Sequence, residues 1–322
     1  MTPFTGLGVG VGDLRLSEEL SELLASIPDM EVDAYVEASS RPLPETFRVN
    51  TLKMSEERCV ELLREMGWRF ERLPWARHAY RLTGGATGLG GTLAHSLGVV
   101  YVQGPISMVP VEALDPKPGE RVLDVCAAPG SKSTQIAQLM ENKGVLVAND
   151  ASSERIKPLI ANLQRWGAYN CVVTMKDGRF FGRRTRNFFD RVLCDVPCSS
   201  LGVVMKDWSS AGTYSHRRSE RLARLQLTLL LSSFDASTPG GYTVYSTCTV
   251  HPLENEAVVS EFLSQRPEAE VVEFRLEGLK GRRPLEEWKG EVFDPRVSLC
   301  FKCYPQDNGA EGFFVALLRK VR

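Results

Sequence analysis

Two of the eight cysteines stand where a thiol could react rather than pack. Cys198 follows a proline in Asp195-Val-Pro-Cys198, and Cys248 lies in the polar run Ser246-Thr-Cys-Thr249. The thiolate is the nucleophilic form of cysteine, and a neighbouring cation or a helix N-terminus lowers the pKa enough to populate it. Cys59, Cys126, Cys171 and Cys194 read instead as small hydrophobes, since a free cysteine is commonly buried. Cys300-Phe-Lys-Cys303 has the spacing of a metal-binding pair. Zinc ordinarily takes four ligands and the chain holds no second pair of this kind, so no metal is expected. The remaining chemistry-bearing residues are one loop of mostly small residues, Cys126-Ala127-Ala128-Pro129-Gly130-Ser131-Lys132, and three acids, Asp150, Asp177 and Asp195.

These residues need elements to hold them, and the apolar pattern supplies them. Strands are predicted at Arg121–Cys126, Val145–Asn149, Cys171–Met175, Arg191–Cys194 and Tyr242–Tyr245. Helices are predicted at Ser131–Glu141, Glu154–Trp166, Glu220–Ala236 and Leu253–Ser264, and residues 311–320 read as a last strand. Strands alternating with helices predict a mostly parallel sheet covered on both faces. In such sheets ligands bind beyond the carboxyl ends of the strands, and successive strands here deliver the small-residue loop, the three acids and Ser246-Thr-Cys248 to that edge. Gly130 lets a backbone approach a ligand, and Asp150, 20 residues further on, suits a ribose diol. The dinucleotide signature G-x-G-x-x-G is absent, and Gly130-Ser-Lys-Ser lacks the G-K-[ST] of a phosphate loop. The set fits a nucleoside without phosphates, such as S-adenosylmethionine.

Ahead of this lies a smaller unit. Residues 14–38 carry apolar positions at helical spacing broken by Pro28, predicting two short helices. Phe47 and Val49, a helix at Ser55–Met66 and extended runs at Trp68–Leu73 and Tyr80–Leu82 then predict a β-α-β-β unit. The Gly-rich stretch 83–92 reads as a linker or loop, which places a domain boundary near residue 95.

Composition narrows the class. With 322 residues, 43% hydrophobic and 25% charged, the chain can bury a substantial core, which excludes general disorder. No apolar run reaches the ~18–20 residues that span a bilayer, so no membrane is expected. The first eight residues show no basic segment ahead of an apolar one, so a reducing, cytoplasmic setting is expected. The net charge of −1 excludes nucleic-acid binding by bulk charge alone. It is uneven, however: the first fifty residues hold three basic and nine acidic side chains, which leaves +5 on the remainder.

The ordered motifs resemble the Nop/Sun family of RNA cytosine-5 methyltransferases, in its compact archaeal form, from about residue 41 onward. The carriers are Phe47-Arg-Val-Asn-Thr-Leu-Lys53, Tyr101-Val-Gln103 with Ser107, Asp124-Val-Cys-Ala-Ala-Pro-Gly-Ser-Lys132, Asn149-Asp150, Asp177-Gly178, Asp195-Val-Pro-Cys-Ser199, Tyr245-Ser-Thr-Cys248, Glu254-Asn-Glu256 and Gly312-Phe-Phe314. The paired Pro-Cys and Thr-Cys motifs in this order give the resemblance its specificity. Two departures stand out: Ser131 replaces a commoner glycine, and Ser200-Leu-Gly stands where Gly-x-Gly is usual. Both changes are small and are expected to leave the sites intact.

The resemblance implies a Rossmann-like α/β fold, a class I methyltransferase domain at 96–322 behind a small α+β region at 1–95 that recognises RNA. It implies S-adenosylmethionine as cofactor, held by 126–132, Asp150, Arg155, Asp177 and Asp195. It further implies Cys248 as the nucleophile adding to C6 of cytosine, Asp195 as the hydrogen-bond donor to N3, Cys198 as the residue of release and Lys132 as an active-site lysine. The substrate expected is tRNA, with rRNA as the alternative; a catalytically silent RNA-binding or ribosome-assembly factor and a small-molecule methyltransferase are the readings from other classes. Arginines at 179–191 (Arg179, Arg183, Arg184, Arg186, Arg191) and at Arg217, Arg218, Arg221 and Arg224 are candidates to hold the RNA backbone.

Overall fold

The computed structural model describes residues 14–85 and 88–321. The first eight residues, read above for a leader, lie outside the described residues, as do Asp13 of the acidic head and two positions of the Gly-rich stretch.

Strands β1 (Thr46–Val49), β2 (Arg69–Arg72), β3 (Ala79–Gly84) and β4 (Val100–Val102) form a small antiparallel sheet in the order β2-β3-β1-β4. The helix Glu56–Glu65 joins β1 to β2, and its buried Cys59 and Leu63 pack with Phe47, Val49, Trp68 and Tyr80. Its N-cap is Ser55, whose Oγ accepts from the Arg58 amide, satisfying one of the free N–H groups of a helix start. The β-α-β-β expectation is therefore met and extended by β4. A division at residue 95 would cut this sheet before its last strand. The Gly-rich stretch is a loop within the small sheet: Gly88 and Leu89 donate their amides to the Glu45 carboxylate at 3.1 and 2.6 Å, and Leu89 is buried. Val100-Tyr-Val102 is too short to show a period of its own, and only pairing with β1 makes it a strand.

The two N-terminal helices, Glu18–Ala25 and Val32–Ser40, form on either side of Pro28 as the sequence predicts. Their apolar faces do not join the small sheet's core. Leu20, Leu24 and Tyr35 pack with Leu201, Tyr214, Trp288 and Tyr304, and the Tyr35 hydroxyl donates to the Leu201 carbonyl at 2.6 Å. The region 1–95 thus splits in space, with its helices serving the larger unit.

That larger unit is a mixed sheet. Strands β5 (Arg121–Asp124), β6 (Val145–Asn149), β7 (Cys171–Thr174), β8 (Phe189–Asp195) and β9 (Ser237–Thr247) are parallel wherever they pair. Beyond β9, after β10 (Ala269–Val271), the small hairpin β11 (Glu287–Trp288) and β12 (Glu291–Val292), and β13 (Phe301–Cys303), the last strand β14 (Phe313–Lys320) adds antiparallel. The order is β10-β14-β9-β8-β5-β6-β7, with β13 on β14. Alternate residues feed opposite cores, as the two-residue period of a strand requires. Val122, Leu193 and Val244 enter one core with Ile136 and Ala137 of the helix Ser131–Leu139; Leu123, Val192 and Tyr245 enter the other with Phe234 and Phe262 of the helices His216–Ala236 and Glu256–Gln265. β9 starts earlier than its apolar residues announce: Phe189 pairs with Ser237, then the register shifts so that Arg191 pairs with Tyr242. Pro239-Gly-Gly241, a turn signal in sequence, is absorbed by that bulge. Among the described residues no helix is long and apolar enough to cross a membrane.

Candidate active site

The chain leaves β5 for β6 on one side and returns to β8 on the other. The switch in direction falls between β5 and β8, the place where such sheets open a crevice. The loop after β5 lines it. Ala127 and Ala128 are buried, and Gly130 caps the helix Ser131–Leu139 with φ +109°. A Cβ at Gly130 would meet Leu159 Cδ1 at 3.1 Å in a conformation that L-residues avoid, so glycine is required there. Ser131 begins the helix and needs no glycine; its carbonyl accepts from Arg48 Nη2 at 3.0 Å.

Lys132, on the first turn of that helix, is the centre of the site. Its Nζ lies 2.7 Å from Asp195 Oδ2 and donates to Ser107 Oγ at 3.2 Å. Burial alone would push this ammonium down; the charge and hydrogen bond of Asp195 outweigh it and hold the pKa above its ordinary value. Asp195 Oδ1 accepts from Ser246 Oγ at 2.6 Å, across the β8–β9 register that sets these two residues opposite each other. Alternation along β9 puts Ser246 on the sheet face of Val244, at the carboxyl end of the strand just before the loop that carries Cys248, and that is the signal for it in the sequence. Asp124, at the end of β5, is fully buried, and burial pushes its carboxyl up to about 7 although Ser133 Oγ donates to it at 2.6 Å.

The two cysteines meet. β8 and β9 are parallel neighbours, and the loops leaving their carboxyl ends bring Cys198 Sγ and Cys248 Sγ to 3.0 Å. Gly202 fixes the approach: its amide donates to the Cys248 carbonyl at 2.9 Å and its carbonyl accepts from the Gly312 amide at 2.7 Å. A Cβ at Gly202 would fall 2.1 Å from the Gly312 oxygen, so no larger residue can enter between these loops. The pair is asymmetric. A hydrogen bond from Cys198 lowers the Cys248 pKa, against burial and the charge of Asp195, with Ser200 and Lys132 adding to the lowering. Cys198 is pushed up by the same bond and by burial, with Glu254 adding to the rise.

The other predicted positions spread along the crevice. Asp150 is buried; its carboxylate accepts from the amides of Ala128 at 3.3 Å and Ser152 at 3.0 Å and lies 3.5 Å from Arg155. Arg155 also donates to the Ala128 carbonyl at 2.6 Å. Cys126 is partly buried beneath the loop, with its pKa raised by burial. Asp177 is exposed and bonded to Arg179, which holds its carboxyl down at about 2; it also accepts from the Arg179 amide at 2.9 Å, the contact of a turn-forming residue. Cys300 and Cys303 enter different cores, and among the described residues no group of three or more His, Cys, Asp or Glu side chains is arranged to hold a metal. As a donor set, the crevice offers carboxylates, small apolar side chains and backbone amides, which match the hydroxyls, the adenine and the two positive charges of S-adenosylmethionine.

Fold and crevice define a class I methyltransferase. Residues 111–319 match the family described as 16S rRNA methyltransferase RsmB/F, and residues 16–105 match the N-terminal domain of 16S rRNA methyltransferase RsmF. The tRNA (cytosine(49)-C(5))-methyltransferase of Pyrococcus abyssi is 41% identical over 310 residues, covering 96% of this chain and 97% of that one. The ribosomal RNA small subunit methyltransferase F of Pectobacterium carotovorum is also 41% identical, over 91% of this chain but only 60% of its own length. A solved methyltransferase homologue from Pyrococcus horikoshii superposes with a TM-score of 0.85 at 32% identity, covering 96% of each chain. The chain belongs to the RsmB/F (Nop/Sun) family of S-adenosylmethionine-dependent RNA cytosine-C5 methyltransferases.

Proposed function

We propose that the protein methylates C5 of a cytosine in tRNA through a covalent bond between Cys248 and C6 of the base, in the cytoplasm. The observation that carries the covalent reading is the pair of thiols 3.0 Å apart beside the Lys132–Asp195 pair. The tRNA reading rests on the archaeal relative, which this chain matches over nearly its whole length, whereas the rRNA enzyme extends well beyond the match. The relatives' names keep rRNA as the alternative substrate. Cysteines that all stand as free thiols accord with a reducing compartment.

S-adenosylmethionine, when bound, supplies a methyl group made electrophilic by its sulfonium. We assign it to residues 126–132, with Asp150 on the ribose, Asp195 at the inner end and Arg155 at the rim; Asp177, expected in the same set, has its carboxylate already held by Arg179. The target cytosine has to leave its stack to expose C6. The Cys248 thiolate then adds to C6, and the ring electrons move toward C5 and N3. The proton shared between Lys132 Nζ and Asp195 Oδ2 is the one available to N3 as its negative charge builds. Once the Cys248 sulfur is bonded to carbon, the chief cause of the raised Cys198 pKa is gone. Cys198 can then ionise, take the C5 proton and expel Cys248.

Two variants test this with radiolabelled cofactor and tRNA or rRNA transcripts. Cys248→Ala is expected to bind S-adenosylmethionine but neither transfer methyl nor form an adduct. Cys198→Ala is expected to accumulate a protein–RNA adduct that survives denaturation. Methyl transfer at the normal rate by Cys248→Ala would end the covalent reading, and bisulfite sequencing of RNA from cells lacking the protein identifies the substrate.

A further inference from the structure

Two thiols at 3.0 Å compete for one negative charge, and something must decide between them. The loop from β8 toward Gly202 contains a candidate. Ser200 has φ +62°, the left-handed region that a non-glycine residue occupies at a steric cost. The strained backbone places its hydroxyl on the reacting pair: the Cys248 thiol donates to Ser200 Oγ at 3.8 Å, a contact the hydroxyl returns as donor once Cys248 is a thiolate. The flanking residues hold this conformation. Ser199 Oγ bonds Thr249 Oγ1 at 2.7 Å, the Ser199 amide donates to Glu254 at 3.0 Å, and the Val203 amide donates to the Ser200 carbonyl at 3.0 Å.

We infer that Ser200 is a positioning residue whose hydroxyl donates to the ionised Cys248 sulfur and so selects Cys248 over Cys198 as the reacting thiolate. The inference rests on the reading of Cys248 as nucleophile given above. The surroundings divide as selection requires. Cys248 faces the Cys198 thiol, the Ser200 hydroxyl and the Lys132 ammonium, with the Asp195 carboxylate opposing; Cys198 faces Cys248 and the buried Glu254 carboxyl, with the Ser200 backbone as its one opposing hydrogen bond, which Ser200→Gly and Ser200→Ala both keep. Donors and a cation favour a thiolate, and a carboxyl disfavours it. Ser200 is the member of this set placed on Cys248 by a backbone conformation that glycine would adopt without strain, and glycine would bring no hydroxyl.

The test is the rate of iodoacetamide alkylation at each cysteine against pH, read by peptide mass spectrometry on the intact protein. Wild type is compared with Ser200→Gly and Ser200→Ala. Glycine removes both strain and hydroxyl, alanine the hydroxyl alone, so an effect of loop shape would differ between them. In wild type, Cys248 is expected to react at lower pH than Cys198. In both variants the Cys248 midpoint is expected to move up and its rate at pH 7 to fall on the order of threefold to tenfold, the scale of one ordinary net hydrogen bond. A Cys248 profile unchanged in Ser200→Gly overturns the role of Ser200 alone. A wild-type protein in which Cys198 ionises first overturns the nucleophile reading and this inference with it.

Discussion

At the scale of single residues, Asp150 separates a helix cap from a ligand. Its carboxylate accepts from the Ala128 and Ser152 amides, and Ser152, not Asp150, is the N-cap of the helix Ser153–Trp166. A carboxylate has about four acceptor sites; two amides take two and Arg155 lies 3.5 Å from Oδ2, so the Oδ1 side keeps a site for a ribose hydroxyl. Asp150→Ala is expected to weaken S-adenosylmethionine binding about tenfold or more, the loss of charge-assisted hydrogen bonds. Calorimetry on the intact protein checks it, and an unchanged affinity would remove the ribose assignment. Asp177 fares differently, because Arg179 two residues away takes its carboxylate. Nothing in the spacing of the three acids distinguishes them; what distinguishes them is which neighbours compete for their oxygens, and that depends on the fold. The same holds for Lys132. Its residue type was legible, but its bonds to Ser107 and Asp195 join positions that only the sheet brings together.

Among elements, the best expression of the join between the two sheets is one buried side chain on β1. Phe47 and Val49 face the small sheet's core, so Arg48 points the other way. It is fully buried and donates to Gln103 and Gln138 at 2.7 Å, to the Ser131 carbonyl at 3.0 Å and to Thr134 at 2.8 Å, with Tyr101 and Trp166 rings beside it. Burial pushes the guanidinium down to about 9. β1 is thus pinned to the helix that carries Lys132. Arg48→Ala leaves several buried acceptors unpaired and is expected to cost on the order of 3 kcal/mol in urea unfolding; a loss within experimental error would show the network to be dispensable. In the sequence Arg48 is one member of Phe47–Lys53, and an arginine in an apolar run gives no hint of where its head goes. Strands with four or more residues of their own apolar pattern, such as β6 and β8, were legible. β4 and β10, with three residues each, exist through their partners. The short helix Arg179–Arg184 looked like a basic stretch because its buried face is little more than Phe181.

For the molecule as a whole, the question is how a chain of net charge −1 holds a polyanion. The two basic stretches are not equivalent. At the ends of the first, Arg179 is bonded to Asp177 and Arg191 to Glu120 at 2.8 Å, leaving Arg183, Arg184 and Arg186 exposed. In the second, Arg217, Arg218, Arg221 and Arg224 are all exposed on the helix His216–Ala236. Its first turn contains no acid of its own, and the Glu19 carboxylate accepts from the His216 amide at 2.9 Å, so an acid of the first N-terminal helix already answers the positive helix end while the arginine heads stay exposed. Arg218 also lines a cavity of about 310 Å³ with Ser199, Ser200 and Lys206, next to the cysteine pair. Arg217 and Arg218, exposed at this end of the helix, are the proposed contacts to the RNA backbone. Each phosphate contact to a single strand contributes about 0.7 to the slope of log affinity against log salt. Replacing Arg217 and Arg218 by alanine is expected to reduce that slope by about 1.4 while S-adenosylmethionine affinity holds. Equal slopes for the double variant and wild type, measured by filter binding between 50 and 200 mM salt, would place the RNA on another face.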